Sequence, residues 1–268
     1  MKKIFVLFIL NCLSFTFYGQ GGFFTQGEGG VYTAERLAIL KGPHGETGGI
    51  GNNPSMLNLY SDMRIRFGDL GEEVSLSLDD IEGSIYLQDD FTLGVLYDKE
   101  EPFKKLYLRF DAYSDEVQLK HYKESQKIEA LLKSQNLSCV IGGERFIYTT
   151  YRGVDGNQEK GYLIALHIGD DYSLYIKREK IFKEGKQAKT SLQNSFPHRF
   201  QDNSEFYFAY GDMEPVFFKP KKKEVLSLFD QSDDIHIKKY AKENRVDFRS
   251  IYDLINLFKY MNSLKKPM

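Results

Sequence analysis

From about residue 94 to residue 218 the chain repeats one local rhythm: a short run with apolar side chains at alternate positions, then a turn built on Gly, Asp or Asn. Alternation with a period of two is the pattern of a strand with one buried face, and it excludes a helical bundle for this stretch. Leu137–Ile141 and Arg145–Tyr151 flank Gly142-Gly143. That glycine pair can take positive φ at both central positions of a tight hairpin. Asp155-Gly-Asn157 separates Arg145–Tyr151 from Gly161–His167, and Gly169-Asp-Asp171 leads into Tyr172–Lys177. Phe206–Tyr210 and Pro215–Phe218 sit on either side of Gly211-Asp212.

Upstream, Met63–Phe67, Val74–Leu78, Gly94–Tyr97, Lys105–Phe110 and Glu116–Tyr122 read the same way, with an acidic, Pro102-containing turn after Tyr97. Lys183–Ser195 reads as a basic, polar loop. The spacing predicts an antiparallel meander closed into a barrel or bent into a half-barrel. The abundance of Phe (21) and Tyr (18) over Trp (none) agrees with a sheet-rich body.

After residue 222 the period changes. Val225, Leu226, Leu228 and Phe229 make a short amphipathic turn, and Ser232-Asp-Asp234 places a cap and acids ahead of Ile235–Asn244. Ile251, Leu254, Ile255, Phe258 and Met261 then form one apolar stripe at helical spacing. The expected class is mainly β with C-terminal helices (α+β), the helices packed on the sheet or capping it. The expected organisation is a signal peptide over 1–20, a Gly-rich, loosely ordered segment over 21–60, and a single β-rich domain over 61–268 whose helical tail covers about 222–264.

Lys2 and Lys3 precede a mostly apolar run from Ile4 to Phe17, and Tyr18-Gly-Gln20 leads into Gly21-Gly22. A run this short fits the hydrophobic region of a secretory leader better than a membrane-spanning helix. Cleavage is expected beside Gln20, leaving no transmembrane span in the mature chain. Lipidation at Cys12 is disfavoured because bulky Asn11 precedes it and the apolar run continues past it. Loss of the leader leaves Cys139 as the one cysteine, so no intramolecular disulfide can form. Cys139, within Leu137–Ile141, is read as a small buried strand residue. Export to the periplasm or the cell surface follows.

The Gly42–Gly51 stretch lacks the Gly-Lys-Ser/Thr ending of a phosphate loop and runs into Pro54 instead of a helix, so it reads as a mobile loop or linker. A net charge of −2 argues against a general grip on nucleic acid.

Three stretches carry a resemblance: Gly83-Ser-Ile-Tyr-Leu-Gln-Asp-Asp-Phe91, Leu106–Asp115 with Tyr113-Ser-Asp-Glu116, and Val140-Ile-Gly-Gly-Glu-Arg-Phe146. With the ending Ile237–Asn244 and Leu254–Asn262, they resemble a group of exported β-rich proteins of Bacteroidota-type bacteria. The resemblance spans roughly residues 80–264. It implies an envelope address and a β-rich body with a helical tail, and it implies no catalytic residue or cofactor.

The search for chemistry is mostly negative. His44, His121, His167, His198 and His236 show no metal-ligand spacing, and no nucleophile elbow is present. The pairs Asp79-Asp80, Asp89-Asp90, Asp170-Asp171 and Asp233-Asp234 fall in expected turns or at a helix start, without a calcium-loop spacing. The basic run Lys219–Lys223 reads as a solvated turn. No cofactor or metal is expected. The aromatics Tyr148, Tyr151, Tyr172, Tyr175, Phe206 and Phe208 stand as the candidate ligand-binding residues: gathered on one face of a curved sheet they would line a groove for an apolar or sugar-like ligand, and otherwise they are core. The expected function is a non-enzymatic exported binding or interaction module whose partner is an apolar or glycan-like ligand or an envelope protein. The alternatives are an envelope hydrolase whose site assembles only in three dimensions, and a structural component that assembles through its C-terminal helices.

Overall fold

The computed structural model describes residues 81–186, 195–229 and 234–265. The leader, the Gly-rich segment, the runs Met63–Phe67 and Val74–Leu78, and the Ser232-Asp233 cap lie outside the described residues.

Ten strands form one sheet: β1 (Thr92–Asp98), β2 (Glu101–Asp111), β3 (Glu116–Lys120), β4 (Glu129–Ala130), β5 (Leu137–Ile141), β6 (Glu144–Arg152), β7 (Gln158–His167), β8 (Tyr172–Lys183), β9 (Arg199–Tyr210) and β10 (Val216–Phe218). Three helices follow: α1 (Lys222–Leu226), α2 (Asp234–Glu243) and α3 (Ile251–Lys265). The strand order is β10-β9-β8-β7-β6-β5-β1-β2-β3-β4. Every neighbouring pair in that order is antiparallel. The expected class, a mainly β body followed by C-terminal helices, is the one found.

Turn chemistry explains the register of the hairpins. Gly142 and Gly143 have φ of 59° and 86°, the left-handed pair that lets β5 run straight back as β6. One turn differs from expectation. Pro102 is not in the β1–β2 turn but inside β2, opposite Tyr97; the reversal is made at Lys99, at φ 57°. The register slips by one residue here, passing over Phe103, which turns into the core, 9% exposed. Pro102 is tolerated because β3 does not reach it, pairing only with Tyr107 to Asp111.

The sheet is not flat. Besides its pairing with β9, β10 touches β6 through a parallel bridge, Val216 to Arg152, with the Arg152 N–H donating to the Pro215 carbonyl at 2.8 Å. Strands β6 to β10 therefore close into a ring. Within that ring β7 and β8 pair only around Ile164–Ile176 and then diverge. The β2–β3 turn fills the split. The Ala112 carbonyl accepts the Lys180 N–H at 3.0 Å, and both Asp115 carboxylate oxygens accept the Tyr162 N–H at 3.2 Å. Asp111, wholly buried, braces the turn by accepting the N–H groups of Tyr113 and Ser114.

The two faces of the sheet differ. One face gathers Leu96, Leu108, Phe110, Leu119, Phe146, Tyr162, Ile164, Leu174 and Ile176 into a single core with Val225, Phe229, Ile237, Leu254, Phe258 and Met261 of the tail. The tail is thus a wall of the core: Phe258 meets Phe208 and Phe229 edge-on at 6.0 and 5.1 Å. Cys139 belongs to this core and is fully buried, and burial pushes its thiol well above the usual range, as expected of an inert strand residue.

Tyr162 carries a polar atom into the same core. Its hydroxyl is buried and has no hydrogen-bond partner among the described residues, while its ring packs on Phe110 and Tyr148. Tyr162→Phe keeps the ring and removes the orphaned hydroxyl, so stability is expected to rise by about 1 kcal/mol. A urea titration checks this; a loss of stability would mean that the hydroxyl has a partner.

Candidate functional site

The face opposite the helices holds a connected network of ionisable groups. Strand parity puts Tyr151 of β6, Glu159 and Leu163 of β7, Tyr175, Lys177 and Glu179 of β8, and Asn203, Glu205 and Tyr207 of β9 on this side. Tyr151, Leu163 and Tyr207 are buried together, with Tyr175 and Phe217 against them. All five strands of the ring contribute, so this side forms the inside of the ring.

The polar members are pinned to one another. The Tyr151 hydroxyl donates to Glu159 Oε2 at 3.1 Å, and the Tyr207 hydroxyl donates to Glu205 Oε2 at 2.8 Å. Lys177 Nζ lies 3.3 Å from Glu179 and 3.7 Å from Glu159, and Asn203 donates to Glu179 at 2.6 Å. The Tyr151 and Tyr207 rings cross at 5.0 Å. Gly161 makes room for this: a Cβ there would stand 2.7 Å from Asp115 Oδ2 and 3.2 Å from the Tyr151 hydroxyl.

These contacts fix the protonation states. Burial pulls the Lys177 ammonium down, but its bond to Tyr151 and the charges of Glu179 and Glu159 outweigh it and hold the amine above the usual lysine range. Burial pushes the Tyr151 hydroxyl up to about 12, and burial together with the bond to Glu205 pushes Tyr207 higher still. Near neutral pH the amine is a cation and both phenols are neutral, so none of the three is poised to move a proton. Burial also raises the Asp115 carboxyl, against the pull of Lys133, the Tyr162 N–H and Lys177.

Toward β1–β3 the same face opens. Tyr107 is central, with Leu93 and Lys120 directly across on its two neighbouring strands and Lys105 and Arg109 two positions along its own. The Arg109 guanidinium is stacked between the rings of Tyr86 (3.4 Å) and Phe91 (4.2 Å), donating to the Asp89 carbonyl and to Gln118. This clamp lays residues 84–91 along β2. Beside it a shallow dent of about 220 Å³, open solvent included, is lined by Leu87, Gln88, Arg109, Phe110, Ile141, Glu144 and Phe146. That is smaller than the roughly 300 Å³ at which small-molecule pockets begin.

The six aromatic residues singled out from sequence are not brought together. Tyr148, Tyr172, Phe206 and Phe208 lie on the helix-covered face, where Tyr172 meets Phe229 at 4.9 Å and Phe206 meets Phe218 at 5.9 Å. Tyr151 and Tyr175 lie on the other. The described histidines are dispersed. His121 pairs with Glu129 at 3.0 Å on open surface, His167 faces Asn262, and His198 accepts the Gly185 N–H while stacking on Phe182. Among the described residues no group of three or more His, Cys, Asp or Glu side chains is placed to hold a metal ion, and no helix is long and apolar enough to cross a membrane.

The network on β7, β8 and β9 escaped the sequence reading. Its only signal was the alternation of Lys177 with Glu179 and of Asn203 with Glu205, which places each pair on one face. No protein-family model, curated protein or solved structure matches the chain.

Proposed function

We propose that the chain is exported by its N-terminal leader and acts in the cell envelope as a non-enzymatic binding module, using the sheet face opposite the helices. One observation carries the reading: the helix-covered face is filled by the chain's own tail, and the best-formed ionisable cluster on the other face is locked into a charged amine and two neutral phenols. Such a cluster holds shape and charge: its carboxylates Glu159, Glu179 and Glu205 are each tied to a hydroxyl, an amide or the Lys177 ammonium, and no aliphatic hydroxyl or thiol nucleophile beside a base stands among them. The leader supports the address through Lys2, Lys3 and the Ile4–Phe17 run.

A panel of chromogenic esters, phosphoesters, glycosides and peptides, run on the wild-type chain and on Lys177→Met, tests the first half. No turnover that depends on Lys177 is expected, and turnover abolished in the variant would overturn the reading. Fractionation with N-terminal sequencing tests the second half. A mature terminus near Gly21 in the envelope fraction is expected; a cytosolic chain that retains Lys2 and Lys3 would overturn it.

A further inference from the structure

We propose, building on the binding-module reading, that the open part of this face is a docking platform for an acidic polysaccharide, a chain of sugars bearing carboxylate or sulfate groups. The platform centres on Tyr107. Register places Lys120 directly beside it on β3, Leu93 beside it on β1, and Lys105 and Arg109 two residues either way on β2. On a pleated sheet these are the nearest same-face positions, about 5 Å across strands and about 7 Å along them. One half-exposed ring is therefore edged by three cations and one aliphatic side chain, and Leu93 is 61% exposed.

The cations differ in duty. Arg109 is consumed by its stack with Tyr86 and Phe91 and stiffens the platform. Lys105 is exposed, and Lys120 rests its ammonium 4.7 Å from the Phe91 ring. Among the described residues no carboxylate forms an ion pair with either lysine. The Asp89-Asp90 loop beyond Arg109 bounds the platform at that end.

The pattern selects the ligand class by charge and shape. A pyranose ring lays its apolar face on a tyrosine, and carboxylates one sugar apart can meet point-charge ammonium groups on either side of it. A single-stranded nucleic acid wants successive aromatic rings on which bases stack and a long basic track, and this platform has one central ring on a chain of net charge −2. A neutral glycan would leave both lysines unused.

Affinity electrophoresis of the full chain through gels containing polygalacturonate or neutral dextran, with fluorescence anisotropy on oligo(dT), tests the proposal. Retardation by polygalacturonate alone is expected. Lys105→Glu/Lys120→Glu should weaken it by roughly thirtyfold, from about 1 kcal/mol per charge contact. Tyr107→Thr should weaken it while its urea midpoint shows the chain still folded. Absence of retardation by polygalacturonate, retardation unchanged in the double variant, or tighter binding to oligo(dT) would each overturn the proposal. These failures remain distinct from failure of the binding-module reading, which only Lys177-dependent turnover or a cytosolic, leader-bearing chain would bring down.

Discussion

Asn262→Leu is expected to lower the stability of the protein by about 4 kcal/mol, because one side chain satisfies several backbone groups at once. Asn262 projects from α3, otherwise packed through Leu254, Leu257, Phe258 and Met261, and seats itself in the β7–β8 turn. Its Oδ1 accepts the N–H groups of Asp171 and Tyr172 at 3.1 and 2.9 Å. Its Nδ2 donates to the carbonyls of Tyr172 and Phe258 and faces His167 Nε2 at 3.0 Å. Leucine fills the space and forfeits the bonds that Asn262 makes to the Asp171 and Tyr172 N–H groups and to the Tyr172 carbonyl. A urea titration reads the loss; a change under 1 kcal/mol would mean that water replaces the amide without penalty.

The His167 ring at this contact also sets a pH dependence. Burial, with Lys259 adding to it, lowers the His167 pKa, so the folded state prefers the neutral ring that accepts from Asn262. The unfolded chain then binds the proton more readily. The contribution is complete above the ordinary imidazole range, near pH 6.5, and is lost as the pH falls toward the lowered folded value. Lys259→Gln, which removes the second of these causes, should reduce that acid slope.

Gly94→Ala is expected to cost about 3 kcal/mol, the upper end for overpacking a buried site. Gly94 is not among the positive-φ glycines, so its backbone accepts alanine, and a surface glycine of that kind would gain stability from the change. Here the added Cβ would lie 2.5 Å from the Val140 carbonyl oxygen and 2.7 Å from Leu108 Cδ1. Strand β1 would have to move away from β5 or β2, the two strands that it joins. A denaturation midpoint equal to or above that of the wild type would refute this account of the packing.

The hairpins were legible because their signals are local. Gly142-Gly143, Asp155-Gly156-Asn157 and Gly211-Asp212 each sit where the chain reverses. The extension of β8 through Lys183, and of β9 back to Arg199, was not legible. The run Lys177-Arg-Glu-Lys180 looks like the end of a strand because four charges follow one another. It stays in the sheet because each finds an opposite charge or an amide: Lys177 and Glu179 in the ring, Arg178 with Glu144 at 2.9 Å, Lys180 with Asp202 at 2.6 Å.

Parity alone could have divided the aromatic set. Tyr148 and Tyr151, like Tyr172 and Tyr175, are three residues apart, and in one strand that spacing sends side chains to opposite faces. The Arg109 clamp had no local signal, since its partners Tyr86, Phe91 and Gln118 come from a preceding loop and the next strand. The same holds for Asn262, whose partners lie about ninety residues away.

The account depends on the tail being one wall of the core, which leaves the opposite face as the working surface. Native-state hydrogen exchange of the full chain tests this most directly. The amides of Phe258 and Met261 in α3 should open with the same free energy as those of Ile164 in β7 and Ile176 in β8, and all four should fall together in Asn262→Leu. If α3 exchanged orders of magnitude faster than the strands beneath it, the helix would be a loosely held flap, and the face it covers would be free to bind.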